Sequence, residues 1–196
     1  MLCPSFKRIG KDDTVWYRSD EMRVIAGEFR SRVLKTLPGL DTRPTPDRLR
    51  ETLFNVVAPE IEGAVFLDGY AGTGAVGIEA LSRGARRVIF IERTRGATGV
   101  IRDNLRTLGV ADRAEVLQGR LLQYLPHRQA DIVFLDPPYD LEKEYKEALE
   151  MLGGSPPALS IIQHHSRFVL EDHYGKLKRT RVLKQGDNSL SFYRGS

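Results

Sequence analysis

The chain lacks most of the features that mark secreted and membrane proteins. Its 196 residues include one cysteine, Cys3, so no disulfide can form within the chain and a reducing compartment is expected. No run approaches the roughly 20 apolar residues that a membrane-spanning helix needs. Residues 1–21 also lack the apolar core of a signal peptide. These absences predict a cytoplasmic protein with no membrane partner.

The composition is that of a mildly basic globular domain. Hydrophobic residues make up 41% and charged residues 29% of the chain, and its length suffices for one domain with a sizeable core. Both ends are positive: residues 1–55 hold 11 basic and 8 acidic side chains, and residues 161–196 hold 7 and 3. Such ends are compatible with a polyanionic partner, although a solvated charged surface gives the same excess.

The order of apolar and turn-forming segments predicts three regions. Residues 1–21 form a loosely ordered polar tail, and residues 22–58 form a β-hairpin, over about 22–37, and a helix. In residues 59–196 β-rich runs alternate with helical segments, which predicts an α/β fold whose seven-stranded sheet is mainly parallel with one antiparallel strand. The predicted strands are 64–68, 87–92, 114–117, 131–135, 161–164, 177–183 and 190–194, and the helices between them are 76–82, 96–108, 121–124 and 141–152.

A glycine-rich loop follows the first predicted strand, in VFLDGYAGTGAVGIEAL. Gly72, Gly74 and Gly77 have the G-x-G-x-x-G spacing that lets a backbone turn tightly and approach a ligand at a helix N-terminus. The next strand ends in Glu92, whose carboxylate can accept hydrogen bonds from both hydroxyls of a ribose. The candidate nucleoside-binding residues of this region are Asp68, Tyr70, Ala71, Gly72, Thr73, Gly74, Glu92 and Arg93.

The glycine spacing alone fits either a dinucleotide or S-adenosylmethionine. Asp68, at the end of the first strand, favours the second. A carboxylate repels a pyrophosphate but attracts the ammonium and sulfonium groups of S-adenosylmethionine. The loop therefore predicts a methyl donor site.

A second motif, ADIVFLDPPYD, places Asp136, Pro137, Pro138 and Tyr139 directly after a buried strand. Ligands of open α/β sheets bind at the carboxyl ends of strands, so this motif should line the same crevice as the glycine loop. The Asp136 carboxylate and the Pro137 carbonyl can accept the two N–H bonds of an exocyclic base amine and aim its lone pair at the methyl group. The prolines hold these acceptors in place, and Tyr139 can stack on the extruded base.

Together, these motifs resemble the RsmD family of bacterial ribosomal RNA guanine-N2 methyltransferases. The resemblance extends over Met22–Arg194 and rests on MRVIAGEFRSRVL, RPTPDRLRETLFN, LDGYAGTGAVGIEALSRGA and FLDPPY. It implies a Rossmann-like class I methyltransferase fold, S-adenosyl-L-methionine as donor, and a guanine N2 of 16S ribosomal RNA as acceptor. The expected partner is small-subunit ribosomal RNA or the assembling 30S particle, and we expect a monomer without a metal.

The chain departs from the family pattern at three places. Gly69 and Tyr70 replace the usual Leu-Phe, a change expected to loosen the loop. Gly119 and Arg120 stand where a small polar or acidic residue is common near the adenine, so Arg120 is not taken as an adenine ligand. Gln163 stands where a glutamate is common, which leaves its role open.

The RPT segment before the first long helix has two interpretations. Arg43, Thr45, Asp47 and Arg50 are expected to be exposed. In the first interpretation, Arg43 and Thr45 close over the cofactor and the segment contacts RNA. In the second, Thr45 caps a helix that has ordinary charge pairs. The basic residues of the predicted hairpin, Arg30, Arg32 and Lys35, are interpreted as solvated surface, and His164 and His165 as structural residues.

Three other functions remain open from the residues. An adenine-N6 or protein-glutamine methyltransferase presents an NH₂ acceptor to the same type of motif. An NAD(P)-dependent oxidoreductase fits the glycine spacing. A catalytically silent RNA-binding module would keep the fold without the reaction.

Overall fold

The computed structural model describes residues 22–37, 47–138 and 142–196 in full, apart from the side chain of residue 142, and the backbone of residues 6–8 and 16–18. In chain order the elements are β1 (Phe6–Arg8), β2 (Trp16–Arg18), α1 (Asp47–Ile61), β3 (Val65–Asp68), α2 (Ala75–Ser82), β4 (Arg87–Glu92), α3 (Arg95–Leu108), β5 (Ala114–Gln118), α4 (Leu121–Tyr124), β6 (Ile132–Leu135), α5 (Glu142–Gly154), β7 (Leu159–His165), β8 (His173–Tyr174), β9 (Leu177–Gln185) and β10 (Asn188–Gly195). None of the helices in these ranges is long and apolar enough to cross a membrane.

The main sheet confirms the predicted α/β fold, with one strand more than predicted and one more of them reversed. Its order is β5-β4-β3-β6-β7-β10-β9-β8, and the first five strands are parallel. All seven predicted strands are present, and β10 runs antiparallel to both of its neighbours, β7 and β9. An eighth strand, β8, pairs antiparallel with β9 at the edge, so the sheet has two reversed strands, β10 and β8, where one was predicted. Strand β8 is two residues long, which is too short for a periodic pattern to reveal it.

Helices cover both faces of this sheet. On one face α1, α2 and α3 pack over the apolar residues of the parallel strands, including Phe66, Phe90 and Phe134. On the other face α5 and the short α4 pack over residues such as Leu67, Val133 and Ile162. Parallel strands buried on both faces read as continuous apolar runs, as RVIFIE and IVFL do. The carboxyl ends of β3, β4, β6 and β7 are thereby held at a common edge.

The segment 22–37 reverses direction as predicted but forms a single β-bridge, Arg23 with Val33, instead of two strands. It is held on α2 through the carboxylate of Glu79, which accepts the Ile25 and Ala26 N–H groups at 2.8 and 3.0 Å. Polar groups of α2 take the place of a strand partner, since they bind backbone N–H groups that a longer hairpin would pair internally.

Arg50 contradicts the expectation that the polar residues of the RPT segment are exposed. Its side chain is fully buried and donates to the Arg23 carbonyl at 2.6 Å and to Asp47 at 3.0 Å. Burial lowers the pKa of the Arg50 guanidinium, while Asp47 opposes that shift. Asp47 itself is exposed. Arg50 therefore joins α1 to the segment 22–37, a contact between distant residues that helix periodicity does not reveal.

One boundary and the tail also differ from the sequence prediction. The helix α1 continues through Pro59 to Ile61, so the predicted division between residues 58 and 59 falls inside it. In the tail, expected to be loosely ordered, β1 and β2 pair antiparallel with Phe6 opposite Arg18. A pair of three-residue strands is below the length at which alternation is recognisable.

The tight approach of Gly27 to α2 gives a stability prediction. Gly27 has φ +83°, and a Cβ there would lie 1.9 Å from the Ser82 carbonyl oxygen. We expect Gly27→Ala to lower the free energy of unfolding by about 3 kcal/mol, because left-handed strain and overpacking add. Gly63, with φ +73° and no heavy atom within 4 Å of where its Cβ would lie, is the matched control.

We expect Gly63→Ala to lower the free energy of unfolding by about 1 kcal/mol, from backbone strain alone. Denaturant unfolding of both variants measures the difference. Equal losses in the two variants would show that the close packing of residues 22–37 on α2 contributes little to stability.

Candidate active site

Three acidic residues lie at the ends of neighbouring parallel strands. Asp68 ends β3, Glu92 ends β4, and Asp136 directly follows β6. Because β3 pairs with both β4 and β6, these strand ends meet at one edge of the sheet, where open α/β folds bind ligands. The two sequence motifs are therefore brought together, as predicted.

The glycine loop between β3 and α2 is organised by these carboxylates. Asp68 accepts the Gly77 N–H at 2.9 Å, at the N-terminal turn of α2. Glu92 accepts the Gly72 N–H at 3.0 Å with one oxygen and the Thr94 N–H at 2.7 Å with the other. Gly72 has φ +53°, and no heavy atom lies within 4 Å of where its Cβ would be. A ligand can therefore approach the backbone at Gly72, as the glycine spacing predicts.

Asp68 is an unusual carboxylate because it is almost completely buried. Burial raises its pKa to about 7, the Gly77 hydrogen bond acts against that shift, and the charge of Glu92 adds to it. A second negative group would raise the free energy of this region further, whereas a cation would lower it. The electrostatics favour an ammonium or sulfonium ligand over a pyrophosphate.

Glu92 keeps capacity for a further ligand. Its carboxylate can accept about four hydrogen bonds, and two N–H groups use two of them. The end of β5 lies alongside, since the Gly119 N–H donates to the Glu92 carbonyl at 3.0 Å. The arrangement fits a ribose at Glu92 and an aminoacyl group near Asp68, so these residues suit S-adenosylmethionine.

Gly69 and Tyr70 tighten the loop, contrary to the expected loosening. A Cβ on Gly69 would lie 2.4 Å from Leu135 Cδ2, and the Gly69 N–H donates to the Phe134 carbonyl at 2.9 Å. The Tyr70 hydroxyl donates to Glu144 on α5 at 2.7 Å, and burial together with Glu144 raises the pKa of Tyr70. The glycine allows close contact with β6, and the tyrosine joins the donor loop to α5.

The motif after β6 is held from α5 as well. Pro137 is buried and Pro138 is exposed. The Tyr145 hydroxyl lies 3.0 Å from the Pro137 carbonyl oxygen and 3.2 Å from the Gln163 carbonyl oxygen on β7. A carbonyl oxygen has two lone pairs, so the Pro137 carbonyl can accept a substrate N–H beside this contact.

The remaining candidate residues divide into three groups. Ala71 is buried in the loop, where its N–H donates to the Ile91 carbonyl at 3.1 Å, and Thr73 is half-buried. Arg93 is exposed next to Glu92, and Arg120 is exposed before α4. The predictions for Arg43, Thr45 and Tyr139 lie outside the described residues.

His164 and His165 make hydrogen bonds within the fold. The buried His164 ring lies 2.9 Å from the Ser191 hydroxyl and 3.0 Å from the His165 carbonyl oxygen, and burial lowers its pKa. The His165 ring accepts the Arg167 N–H at 3.1 Å. Within the described part of the chain, no three or more His, Cys, Asp or Glu residues are grouped as a metal site.

Sequence reasoning missed the two residues of α5 that support the site, Glu144 and Tyr145. Tyr145 belongs to the buried face of α5 with Ala148, Leu149 and Leu152. This i, i+3, i+4, i+7 spacing was visible in the sequence and marks Tyr145 as a core residue, but it does not reveal which carbonyl its hydroxyl meets. For Glu144 no sequence signal was available.

Comparison with known proteins adds a family match over most of the chain. The family model described as conserved hypothetical protein 95 matches residues 22–194. YlbH of Bacillus subtilis, described as a candidate rRNA methyltransferase, is 34% identical over 182 residues, which are 88% of this chain and 98% of YlbH.

A second relative and a solved structure agree with this match. Ribosomal RNA small subunit methyltransferase D of Haemophilus influenzae is 44% identical over 124 residues, which are 61% of this chain and 64% of that protein. The solved structure of yhhF from Escherichia coli, described as a candidate methyltransferase, has a TM-score of 0.79 and 33% identity over 90% of this chain and 98% of its own.

Proposed function

The chain belongs to the conserved hypothetical protein 95 family, the RsmD family that its motifs resemble, and we propose that it methylates the N2 amine of a guanine in 16S ribosomal RNA. The donor in this proposal is S-adenosylmethionine. The observation that carries it is the buried carboxylate of Asp68 at the same sheet edge as the motif after β6. Because the named relatives are methyltransferases, the family match disfavours the oxidoreductase alternative.

The donor is held by charge and by hydrogen bonds from this chain. Asp68 would lie near the ammonium and sulfonium groups, and Glu92 would accept hydrogen bonds from the ribose hydroxyls. The open space at Gly72 admits the ligand close to the backbone. When bound, S-adenosylmethionine supplies an activated methyl group on a sulfonium, so no metal or covalent enzyme intermediate is required.

The acceptor amine is oriented by the strand end of β6. The lone pair of a guanine N2 is delocalised into the ring, which makes the amine a poor nucleophile. The Asp136 carboxylate and the Pro137 carbonyl accept hydrogen bonds from its two N–H groups and favour a pyramidal nitrogen. Tyr139 stacks on the base. Most of the rate increase comes from holding the two reactants in line.

The segment 22–58 contacts the RNA in this proposal. The far end of α1 lies at the amino ends of the strands, because Glu60 pairs with Arg194 at 2.9 Å. The first turn of α1 therefore lies toward the strand ends that form the proposed active site. In this proposal Arg43 and Thr45 close over the donor, and the exposed basic residues Arg30, Arg32 and Lys35 belong to the same N-terminal region.

Two measurements test the proposed function. Calorimetric titration is expected to give binding of S-adenosylmethionine and none of NADH, and the reverse result overturns the enzyme class. Methyl transfer from labelled donor is then compared on small and large ribosomal subunits from cells that lack this enzyme. We expect label in small subunits only, and donor binding without such label overturns the substrate.

A further inference from the structure

Gln163 is a buried polar residue without an explanation in the reaction described above. Its side chain is 3% exposed, and its Oε1 atom has no hydrogen-bond partner. Burying an acceptor without a donor costs free energy, and folded proteins keep few such groups. A buried acceptor of this kind indicates either a tolerated defect or a ligand that supplies the missing donor.

The position of Gln163 favours a ligand. On β7, Ile161 pairs with Phe134 and Ile162 with Leu135, so continuing the parallel register places Gln163 beside Asp136. Neighbouring strands lie about 4.8 Å apart, so the side chains of Gln163 and Asp136 start from adjacent backbone positions at the same sheet edge. The Tyr145 hydroxyl, within hydrogen-bond distance of the Pro137 and Gln163 carbonyls, holds the two strand ends together.

We propose that Gln163 determines base specificity by accepting the N1–H of the target guanine at Oε1. The inference rests on the proposed function, in which Asp136 and the Pro137 carbonyl accept the N2 amine. In guanine, the ring atom N1 next to this amine carries a hydrogen. In adenine and cytosine, the ring nitrogen next to the exocyclic amine is an acceptor.

An acceptor beside Asp136 therefore fits guanine and is unfavourable for the other amino bases. A site that hydrogen-bonds a substrate N–H rejects analogues without it, because the buried acceptor is then left unpaired. Glutamine can also rotate its amide to present Nε2 as a donor, whereas glutamate cannot. The preference of this chain thus depends on the orientation of one amide, and Gln163→Glu keeps the required acceptor.

The test replaces the target guanosine with 2-aminopurine riboside in reconstituted small subunits. 2-Aminopurine keeps the N2 amine but has no hydrogen on N1. Wild-type protein is expected to prefer guanine by at least about tenfold in kcat/KM. Gln163→Met is expected to bring this ratio close to one, mainly by loss of activity on guanine, and Gln163→Glu to retain the preference.

A matched control is Gln185→Met, at the end of β9. Its Oε1 is also buried without a partner, but β10 and β7 separate its strand from β6. We expect it to keep the wild-type ratio. Gln163→Met should unfold at the same or higher denaturant concentration than wild type, because an apolar side chain replaces an unsatisfied acceptor.

Two results overturn the inference in distinguishable ways. A wild-type ratio in Gln163→Met, with guanine still methylated, refutes the role of Gln163 and leaves the proposed function intact. Absence of N2-methylguanosine from the wild-type reaction refutes both. If Gln163→Met fails to fold, Gln163→Glu decides, because loss of the guanine preference in that variant contradicts the need for an acceptor.

Discussion

Replacing Asp136 with alanine is expected to reduce the rate of methyl transfer by at least about a hundredfold while donor binding is retained. The carboxylate follows β6 at the sheet edge, next to the buried Pro137. Its assigned role is to accept an N–H of the target amine, an interaction that strengthens as the nitrogen becomes pyramidal. Its loss should therefore lower kcat and leave the donor dissociation constant nearly unchanged.

The matched control for Asp136 is Asp131, which directly precedes the other end of β6. Asp131 is exposed, and its carboxylate accepts the Val65 N–H at 2.8 Å, far from the glycine loop. Single-turnover transfer and calorimetric titration of both alanine variants separate chemistry from binding. Unchanged turnover in Asp136→Ala would exclude the role assigned to the carboxylate.

Replacing Asp68 with asparagine is expected to weaken donor binding by about tenfold to a hundredfold and to stabilise the protein without donor at pH 8. The weaker binding follows from loss of the charge that faces the ammonium and sulfonium groups. The higher stability follows from burial, which raises the pKa of Asp68 to about 7 in the folded protein, from 3.8. Asparagine removes this charge and keeps an oxygen for the Gly77 N–H.

The stability effect has a defined pH dependence. Well below its unfolded pKa of 3.8, Asp68 is protonated in both the folded and unfolded states and does not lower the free energy of unfolding. As the pH rises from there to about 7, the folded protein keeps a proton that the unfolded chain releases, so the wild type loses stability until the carboxyl group ionises in the folded state too. The advantage of Asp68→Asn should grow to about 1–3 kcal/mol by pH 8.

Denaturant unfolding without donor at pH 5 and pH 8 measures this difference, and titrations at the same pH values measure donor affinity. In the wild type, affinity should rise between pH 6 and pH 8, because the ionised carboxylate is the form that attracts the cation. An advantage of Asp68→Asn that is the same at both pH values would contradict the raised pKa of Asp68.

The strand pattern and both motifs could be predicted because each is local. The apolar runs of β3, β4 and β6, the glycine spacing and the Asp136-Pro137-Pro138 sequence occupy contiguous residues, and parallel topology then brings the strand ends together. Asp68, Glu92 and Asp136 could thus be placed at one edge from sequence alone.

The supporting contacts could not be predicted because they join residues distant in the chain. The Tyr70–Glu144 hydrogen bond spans 74 positions, and the contact from Arg50 to the Arg23 carbonyl spans 27. Arg50 looked exposed because arginine is rarely buried unless it is paired, and one of its partners is a distant backbone carbonyl that no side-chain pattern marks. The unsatisfied Oε1 of Gln163 is likewise visible only when its surroundings are known.

The most direct test of the account is the identity of the methylated nucleoside. Small subunits from cells without this enzyme are incubated with the protein and labelled S-adenosylmethionine, and the RNA is digested and analysed by mass spectrometry. We predict label in N2-methylguanosine at one position of 16S ribosomal RNA, and none when Asp136→Ala replaces the wild type. Label in N6-methyladenosine, or in no nucleoside at all, would contradict the assignment of a guanine amine to this site.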